Sequence, residues 1–310
     1  MASQSTGEDE TRPSLLIELQ AATRAKHHAL NLQVLNKLPL CMPPPSDSPI
    51  LYARGMTVFG QIYYAFESHL KNSLENDELD ETLRDIYHRI FLPRLLRAAL
   101  LQRDMEIIKM RLGEQERQEI DDLAEQSMGF QRRILVSLST KPHVLLAYAW
   151  TMYLALFNGG RWMRSQLFSA GPSFWLGREL PLSFWDFEDC DGTPSNGEDL
   201  KVAFKGGFAR SAASLSDIQR KEIIDESKAL LDLCLEMVRF LDESLSSSLG
   251  AETCSIINRN AGSSREKRNK TDTGSSGSLV GPACHYVTST FQSVATSTAT
   301  FWGRKEISSD

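Results

Sequence analysis

The sequence is poor in several features that mark large classes of protein. No run of about 18 apolar residues occurs in its 310 residues, so no transmembrane anchor is expected. Its five cysteines are widely spaced and no apolar signal core follows Met1, so we expect reduced thiols in a cytoplasmic protein. The net charge of −6 provides no basic excess for nucleic-acid binding. No repeat of about 30 to 45 residues is visible, which argues against a solenoid.

Strand signals are scarce as well. No sustained alternation of apolar and polar side chains occurs before residue 285, whereas apolar residues recur at three- and four-residue steps from Leu15 onward. The spacing predicts helices over 15–38, 50–72, 79–112 in two pieces divided at Pro93, 114–139, 142–167 and 218–247, with a loop-rich stretch at 171–200. We therefore predict an all-α fold, a single multi-helical bundle over residues 13–248.

The two ends of the chain differ from the helical part in composition. Residues 1–12 are polar, and residues 249–310 are rich in Ser and Thr with a charge run at 265–270. Such segments bury too little apolar surface to offset their ordering entropy, so we predict that both are disordered. Scattered apolar residues at 287–302 leave a weak membrane- or partner-binding segment as the alternative.

The first predicted helix carries the adjacent histidines His27 and His28. Residues i and i+4 share a helix face, so Asn31 lies beside His27, and Arg24 precedes it by three residues. His27 could coordinate a metal while Asn31 accepts a hydrogen bond from its other nitrogen, and Arg24 could bind an anionic group. Two surface histidines on an amphipathic helix fit the same pattern, so both interpretations stay open.

Asn158, Gly159 and Gly160 interrupt the apolar helix predicted over 142–167. A glycine inside a helix costs about 1 kcal/mol relative to alanine. A pair of them therefore indicates a kink or the close approach of a neighbour to bare backbone. A flat ligand and a closely packed helix satisfy this pattern equally well.

Four segments together resemble the heme oxygenase family, and most of all its fungal members. Residues 22–27 (Ala-Thr-Arg-Ala-Lys-His) resemble the proximal-helix motif, which ends in the iron-ligating histidine. Residues 91–104 resemble a middle segment and residues 142–160 the distal helix with its closing Gly-Gly. Residues 225–228 and the helix after them match the family's last helix in spacing. The resemblance runs in order over about residues 15–247.

The resemblance implies a heme site between the first helix and the distal helix. It makes His27 the iron ligand, with Asn31 where the family often has a glutamate hydrogen-bonded to that histidine. It makes Gly159 and Gly160 the distal catalytic wall, which lets heme and oxygen approach the backbone, with Asn158 beside them.

The resemblance also implies an activity and the groups that hold the substrate. Arg24, Lys201 and Lys205 match basic residues near the heme propionates, and the two lysines, four residues apart, share one helix face. The implied reaction cleaves heme to biliverdin, CO and Fe(II), with O2 and electrons from an NADPH-dependent reductase. Heme is then both cofactor and substrate, and a monomer is expected.

The sequence departs from the family pattern at the distal helix. Leu156 stands where the family has an aspartate that organises proton-delivering water, Ala155 replaces the preceding glycine, and Asn158 replaces a serine. A leucine side chain neither donates nor accepts a hydrogen bond, and distal polarity governs oxygen chemistry at heme. Three interpretations stay open. The chain is a heme-binding relative with little or no turnover, or it is an enzyme that uses Asn158 in place of the aspartate. In the third, it is a non-catalytic scaffold or interaction protein that binds no heme.

Other chemistries of the same architecture find less support in the sequence. A di-iron site needs Glu-x-x-His spacing, which Glu67 and His69 lack, so we expect Glu67 to make a structural hydrogen bond. None of the cysteines lies in a convincing nucleophile motif. The pairs Phe174-Trp175 and Phe184-Trp185 are interpreted as loop anchors that pack on the bundle.

Overall fold

The computed structural model describes residues 13–188 and 192–263, with side chains up to residue 246. The segments predicted to be disordered are 1–12 and 249–310; residues 1–12 and 264–310 lie outside this range, whereas residues 249–263 are helical. The chain divides into two compact units, Met1–Glu252 and Thr253–Asp310. The architecture below is that of the first unit. The described part of the second is the end of a helix.

The predicted all-α fold is confirmed. The helices are α1 Leu15–Lys37, α2 Ile50–Glu75, α3 Glu81–Ile90, α4 Ala98–Arg111, α5 Glu114–Thr140, α6 Leu145–Ala155, α7 Arg161–Ser169, α8 Gly171–Phe174, α9 Glu198–Ala213 and α10 Asp217–Ser263. A 3-10 turn at Pro93–Leu95 separates α3 from α4, as the proline indicated. The last helix continues past residue 247, where the sequence pattern had placed its end.

Two apolar helices form the centre of the first unit. Helix α2 packs on α4, α5 and α6, and its Val58, Ile62 and Phe66 are fully buried. Helix α6 is buried at every position from Leu145 to Trp150. Helices that are apolar on most faces belong in the interior of a bundle. This arrangement places the helix that ends at the glycine pair against the centre of the core.

Helix α1 lies along α10 and runs in the same direction. Three ion pairs join the helices in the same order along both: Glu18–Arg220 at 2.8 Å, Lys26–Asp232, and Lys37–Asp242 at 2.6 Å. Only Leu15 and Leu19 of α1 are fully buried. Each such pair contributes at most about 1 kcal/mol, so the register of α1 depends on several pairs together.

A small antiparallel sheet was not predicted. Strands β1 (Phe187–Glu188) and β2 (Pro194–Ser195) pair with Phe187 opposite Ser195. Two-residue strands are too short to produce an alternating pattern, which is why the sequence indicated only a loop here. Among the residues that the structure describes, no helix is long and apolar enough to cross a membrane.

Candidate functional site

The interruption predicted at the glycine pair is a π-helical turn. Residues Leu156–Gly160 form this turn between α6 and α7, and the backbone remains helical through it, with φ −60° and ψ −36° at Gly160. Gly160 is therefore not needed for an unusual backbone conformation. A Cβ added there would lie 3.3 Å from Cε3 of Trp185, so the absent side chain makes room for an indole ring.

The aromatic ring beside Gly160 is held by buried hydrogen bonds. Asp104 accepts a hydrogen bond from the backbone N–H of Phe184 at 2.8 Å, and the indole N–H of Trp185 donates to the hydroxyl of Tyr52 at 2.9 Å. Burial raises the pKa of Asp104, and the hydrogen bond from Phe184 opposes that rise. The interpretation of Phe184 and Trp185 as loop anchors is confirmed, because the loop is fixed to α4 and α2.

The π-helical turn presents different chemistry to its two sides. Leu156 and Phe157 are each 2% exposed, and Phe157 stacks on Phe187 with ring centroids 5.1 Å apart. Asn158 and Gly159 are only half-buried. The interior side of the turn is therefore apolar, and a bare glycine backbone with one amide side chain lies on the more accessible side.

The residues predicted for the proximal side of a heme lie in the middle of α1. His27 and Asn31 are half-buried, and Arg24 is exposed. Burial, and to a smaller extent the neighbouring His28, lowers the pKa of His27. A neutral imidazole is the form that binds a metal, so this environment favours ligation. The roles predicted for Arg24, His27 and Asn31 stay predictions.

A cluster of cations surrounds one carboxylate next to the π-helical turn. Glu198 forms an ion pair with Arg161, the first residue after Gly160, and Lys201 Nζ lies 3.8 Å from its Oε2. Arg161, Lys201 and Lys205 all lower the pKa of Glu198. The hydrogen bond from Arg161 lowers it most. Both lysines lie on the continuous helix α9, as their spacing predicted.

Arg161 was missed in the sequence analysis. The available signal was its position directly after the glycine pair, which places a cation at the end of the π-helical turn. Helix α9 packs against both α1 and α6, so it connects the helix of His27 with the helix that leads to the turn. The helix that carries both lysines therefore packs on the helix of His27 and on the helix that leads to the glycine backbone.

Glu67 does not belong to a metal cluster. It accepts hydrogen bonds from the backbone N–H groups of Arg97 and Ala98 and from Tyr153, which confirms the predicted structural role. Within the described residues, no group of three or more His, Cys, Asp or Glu side chains could hold a metal ion.

A surface cleft of about 540 Å³ lies elsewhere, between α5 and α10. Its walls include Arg132, Arg133, Lys141 and Glu226. It contains none of the heme-site residues predicted from the sequence, so this cleft does not mark the predicted site.

Comparison with known proteins gives a consistent picture. The family model "Heme oxygenase" matches residues 13–239. Among solved structures, heme oxygenase-1 of the cyanobacterium Synechocystis sp. PCC6803 in complex with heme is 18% identical, with a TM-score of 0.56 over 79% of this chain and 100% of that one. Heme oxygenase 2 of Chlamydomonas reinhardtii without heme is 20% identical, with a TM-score of 0.56 over 73% and 97%. Heme oxygenase of Leptospira interrogans is 19% identical, with a TM-score of 0.51 over 73% and 98%. No curated protein sequence matches significantly.

Proposed function

Because this chain belongs to the heme oxygenase family, we propose that it binds heme between α1 and the π-helical turn Leu156–Gly160. His27 is the proposed iron ligand, with Asn31 as its hydrogen-bond acceptor. The observation that carries the proposal is the π-helical turn itself, which places the partly exposed backbone of Gly159 at the end of a buried helix.

The residues present fit heme in three respects. A half-buried imidazole of lowered pKa suits an iron ligand. A glycine backbone lets a flat ring approach closely. The cations Arg161, Lys201 and Lys205, gathered around Glu198, suit the two carboxylates of heme, because charge-assisted hydrogen bonds to carboxylates are strong. Arg24, exposed on α1, is proposed as a further propionate contact.

Turnover is the finer part of the proposal. Bound heme would supply the iron that activates O2, with electrons from an NADPH-dependent reductase, to give biliverdin, CO and Fe(II). The contribution of this chain is to hold the ring and to order a proton donor beside it. Leu156 cannot order water, so we assign that role to Asn158, the half-buried amide two residues later.

A hemin titration tests the binding proposal. The wild-type protein is expected to give a Soret band typical of a histidine ligand, and His27→Ala is expected to lose it. The matched control is His28→Ala, which removes the adjacent exposed imidazole and should keep the band. A colourless wild-type protein, or an identical band in His27→Ala, would overturn the ligand assignment.

A second candidate function is a non-catalytic scaffold or interaction protein with this fold. The specific observation in its favour is the apolar interior side of the π-helical turn, where Leu156 and Phe157 are buried. Hemin uptake without biliverdin formation, in the presence of reductase and NADPH, would support binding without catalysis. Absence of hemin uptake would support a scaffold that functions without heme.

A further inference from the structure

Two side chains of α2 contact the last α-helical turn before the π-helical turn. The hydroxyl of Tyr63 donates to the carbonyl oxygen of Met152 at 3.3 Å, and the hydroxyl of Tyr153 donates to Glu67 Oε1 at 3.0 Å. Tyr63 and Glu67 are four residues apart, so they lie on one face of α2. All four residues are buried. The contacts therefore reach successive residues of α6 from a single direction.

These contacts coincide with a change in hydrogen-bond register. An α-helix pairs residues four apart, whereas a π-helix pairs residues five apart, so the conversion disturbs the regular ladder of carbonyl acceptors. The N–H of Leu156 is shared between the carbonyls of Met152 and Tyr153 at this point. The Tyr63 hydroxyl gives the Met152 carbonyl a second donor, which compensates for the imperfect ladder.

Glu67 is itself rigidly anchored. Its carboxylate accepts from the backbone N–H of Arg97 at 2.8 Å and from that of Ala98 at 2.9 Å, at the beginning of α4. Burial raises the pKa of Glu67, and these hydrogen bonds together with that of Tyr153 oppose the rise. Glu67 therefore links the Tyr153 hydroxyl to the start of α4 as well as to α2, so both helices hold it in position.

The same anchor supports the other side of the π-helical turn. The buried guanidinium of Arg97 donates to the carbonyl oxygen of Asp186 at 2.5 Å. That contact fixes the loop in which Trp185 lies against Gly160. Two routes of direct contact therefore lead from Glu67 to the turn, one through Tyr153 and one through Arg97 and the loop.

We propose that Glu67 and Tyr63 are positioning residues that fix where α6 converts to the π-helical turn, and so orient the backbone of Gly159 toward the ligand. The positioning itself is a property of the chain without ligand, and its consequence for heme rests on the proposed function. If the π-helical turn reverted to regular α-helix, Gly159 would turn around the helix axis by up to about 100°, because an α-helix turns once in 3.6 residues and the π-helical turn takes up one extra residue.

Hydrogen–deuterium exchange of the protein without heme tests the positioning. Tyr153→Phe removes one oxygen atom and is expected to accelerate amide exchange at residues 156–161 by about fivefold, since a buried hydrogen bond contributes about 1 kcal/mol. Glu67→Gln and Tyr63→Phe are expected to act in the same direction. Unchanged exchange in all three variants overturns the proposal.

The matched control is Tyr87→Phe. Tyr87 is also fully buried, and its hydroxyl donates to the carbonyl oxygen of Pro142 at 2.6 Å, far along the chain from the turn. It is expected to leave exchange at residues 156–161 as in the wild type. If exchange is accelerated equally in Tyr87→Phe and Tyr153→Phe, the effect is a general loss of stability, and the proposal is overturned.

A spectroscopic measurement separates this inference from the proposed function. In the reduced, CO-bound hemin complex, the C–O stretching frequency is expected to shift in Tyr153→Phe and to stay constant in Tyr87→Phe. If the wild type takes up no hemin, the proposed function fails, and the exchange experiment alone decides the positioning. If hemin binds but neither exchange nor the C–O frequency responds to Tyr153→Phe, the positioning fails and the proposed function survives.

Discussion

Gly207 of α9 lies directly against the backbone of Arg89 near the end of α3: a Cβ added at Gly207 would lie 2.0 Å from the carbonyl oxygen of Arg89. The two helices can approach this closely only because residue 207 has no side chain. Since α9 also carries Lys201 and Lys205, this contact helps to set the position of the cation cluster.

The adjacent glycines of α9 are predicted to respond in opposite directions to substitution. Gly207→Ala is expected to destabilise the protein by about 3 kcal/mol, because the methyl group meets backbone that cannot move aside. Gly206→Ala, whose Cβ would meet only the tip of Arg210 at 3.4 Å, is expected to stabilise by up to about 1 kcal/mol through helix propensity. Urea unfolding measures both. Similar effects of the two substitutions would show that α3 and α9 do not pack as closely as described.

The carboxylate of Glu198 is predicted to oppose binding of an anionic ligand. Glu198→Gln leaves Arg161, Lys201 and Lys205 without their shared counter-charge, so hemin affinity is expected to rise by about two- to fivefold, the range of a partly exposed charge interaction. Arg161→Ala is expected to lower the affinity by a similar factor. Hemin dimethyl ester, which lacks the carboxylates, is the control ligand. If its affinity changes as much as that of hemin, the cluster does not bind propionates.

The same ion pair predicts a pH dependence of stability. The pKa of Glu198 is lowered in the folded protein from its ordinary 4.5, so its contribution is present above that pH and is lost as the pH falls through the lower, folded value. The melting temperature of wild type is expected to exceed that of Glu198→Gln slightly at pH 7, and the two are expected to converge below pH 4.5. Because both partners are more than a third exposed, the contribution is below about 1 kcal/mol. A difference that grows toward low pH would contradict the assignment.

Leu156→Asp is predicted to lower the stability of the protein and to increase its turnover of heme. Burying a carboxyl group at a position that is 2% exposed is expected to cost about 3 kcal/mol. If heme is bound as proposed, the new polar group is expected to increase the rate of biliverdin formation with reductase and NADPH, because it can order water beside the ligand.

The control for this substitution is Leu154→Asp, which lies two residues earlier, in α6, and is half-buried. It should not increase turnover. Thermal melts of both variants separate loss of fold from loss of activity. A folded Leu156→Asp variant that binds hemin and forms no more biliverdin than wild type would show that the leucine is not what limits the chemistry.

The helical fold, most helix boundaries and the order of the family motifs could be predicted because they depend on neighbouring residues. The break at Pro93, the helix that begins at Leu15 and the interruption at Asn158 each follow from the backbone chemistry of a few consecutive side chains. The sequence predicted that Phe184 and Trp185 anchor a loop, but it did not predict that they contact Asp104 and Tyr52.

Only the tertiary structure decided what surrounds the glycine pair. Trp185 fills the space beside Gly160, Glu198 pairs with Arg161, and Tyr63 reaches the Met152 carbonyl, although each pair is separated by 25 or more positions. Such contacts depend on how helices pack across the core, and periodicity shows which face of a helix is buried but not which distant residue it meets. The sequence by itself determined where helices form and which residues could carry chemistry. The packing of α2, α9 and the loop at Trp185 decided how the interruption is built, because close approach of distant segments is a property of the folded chain alone.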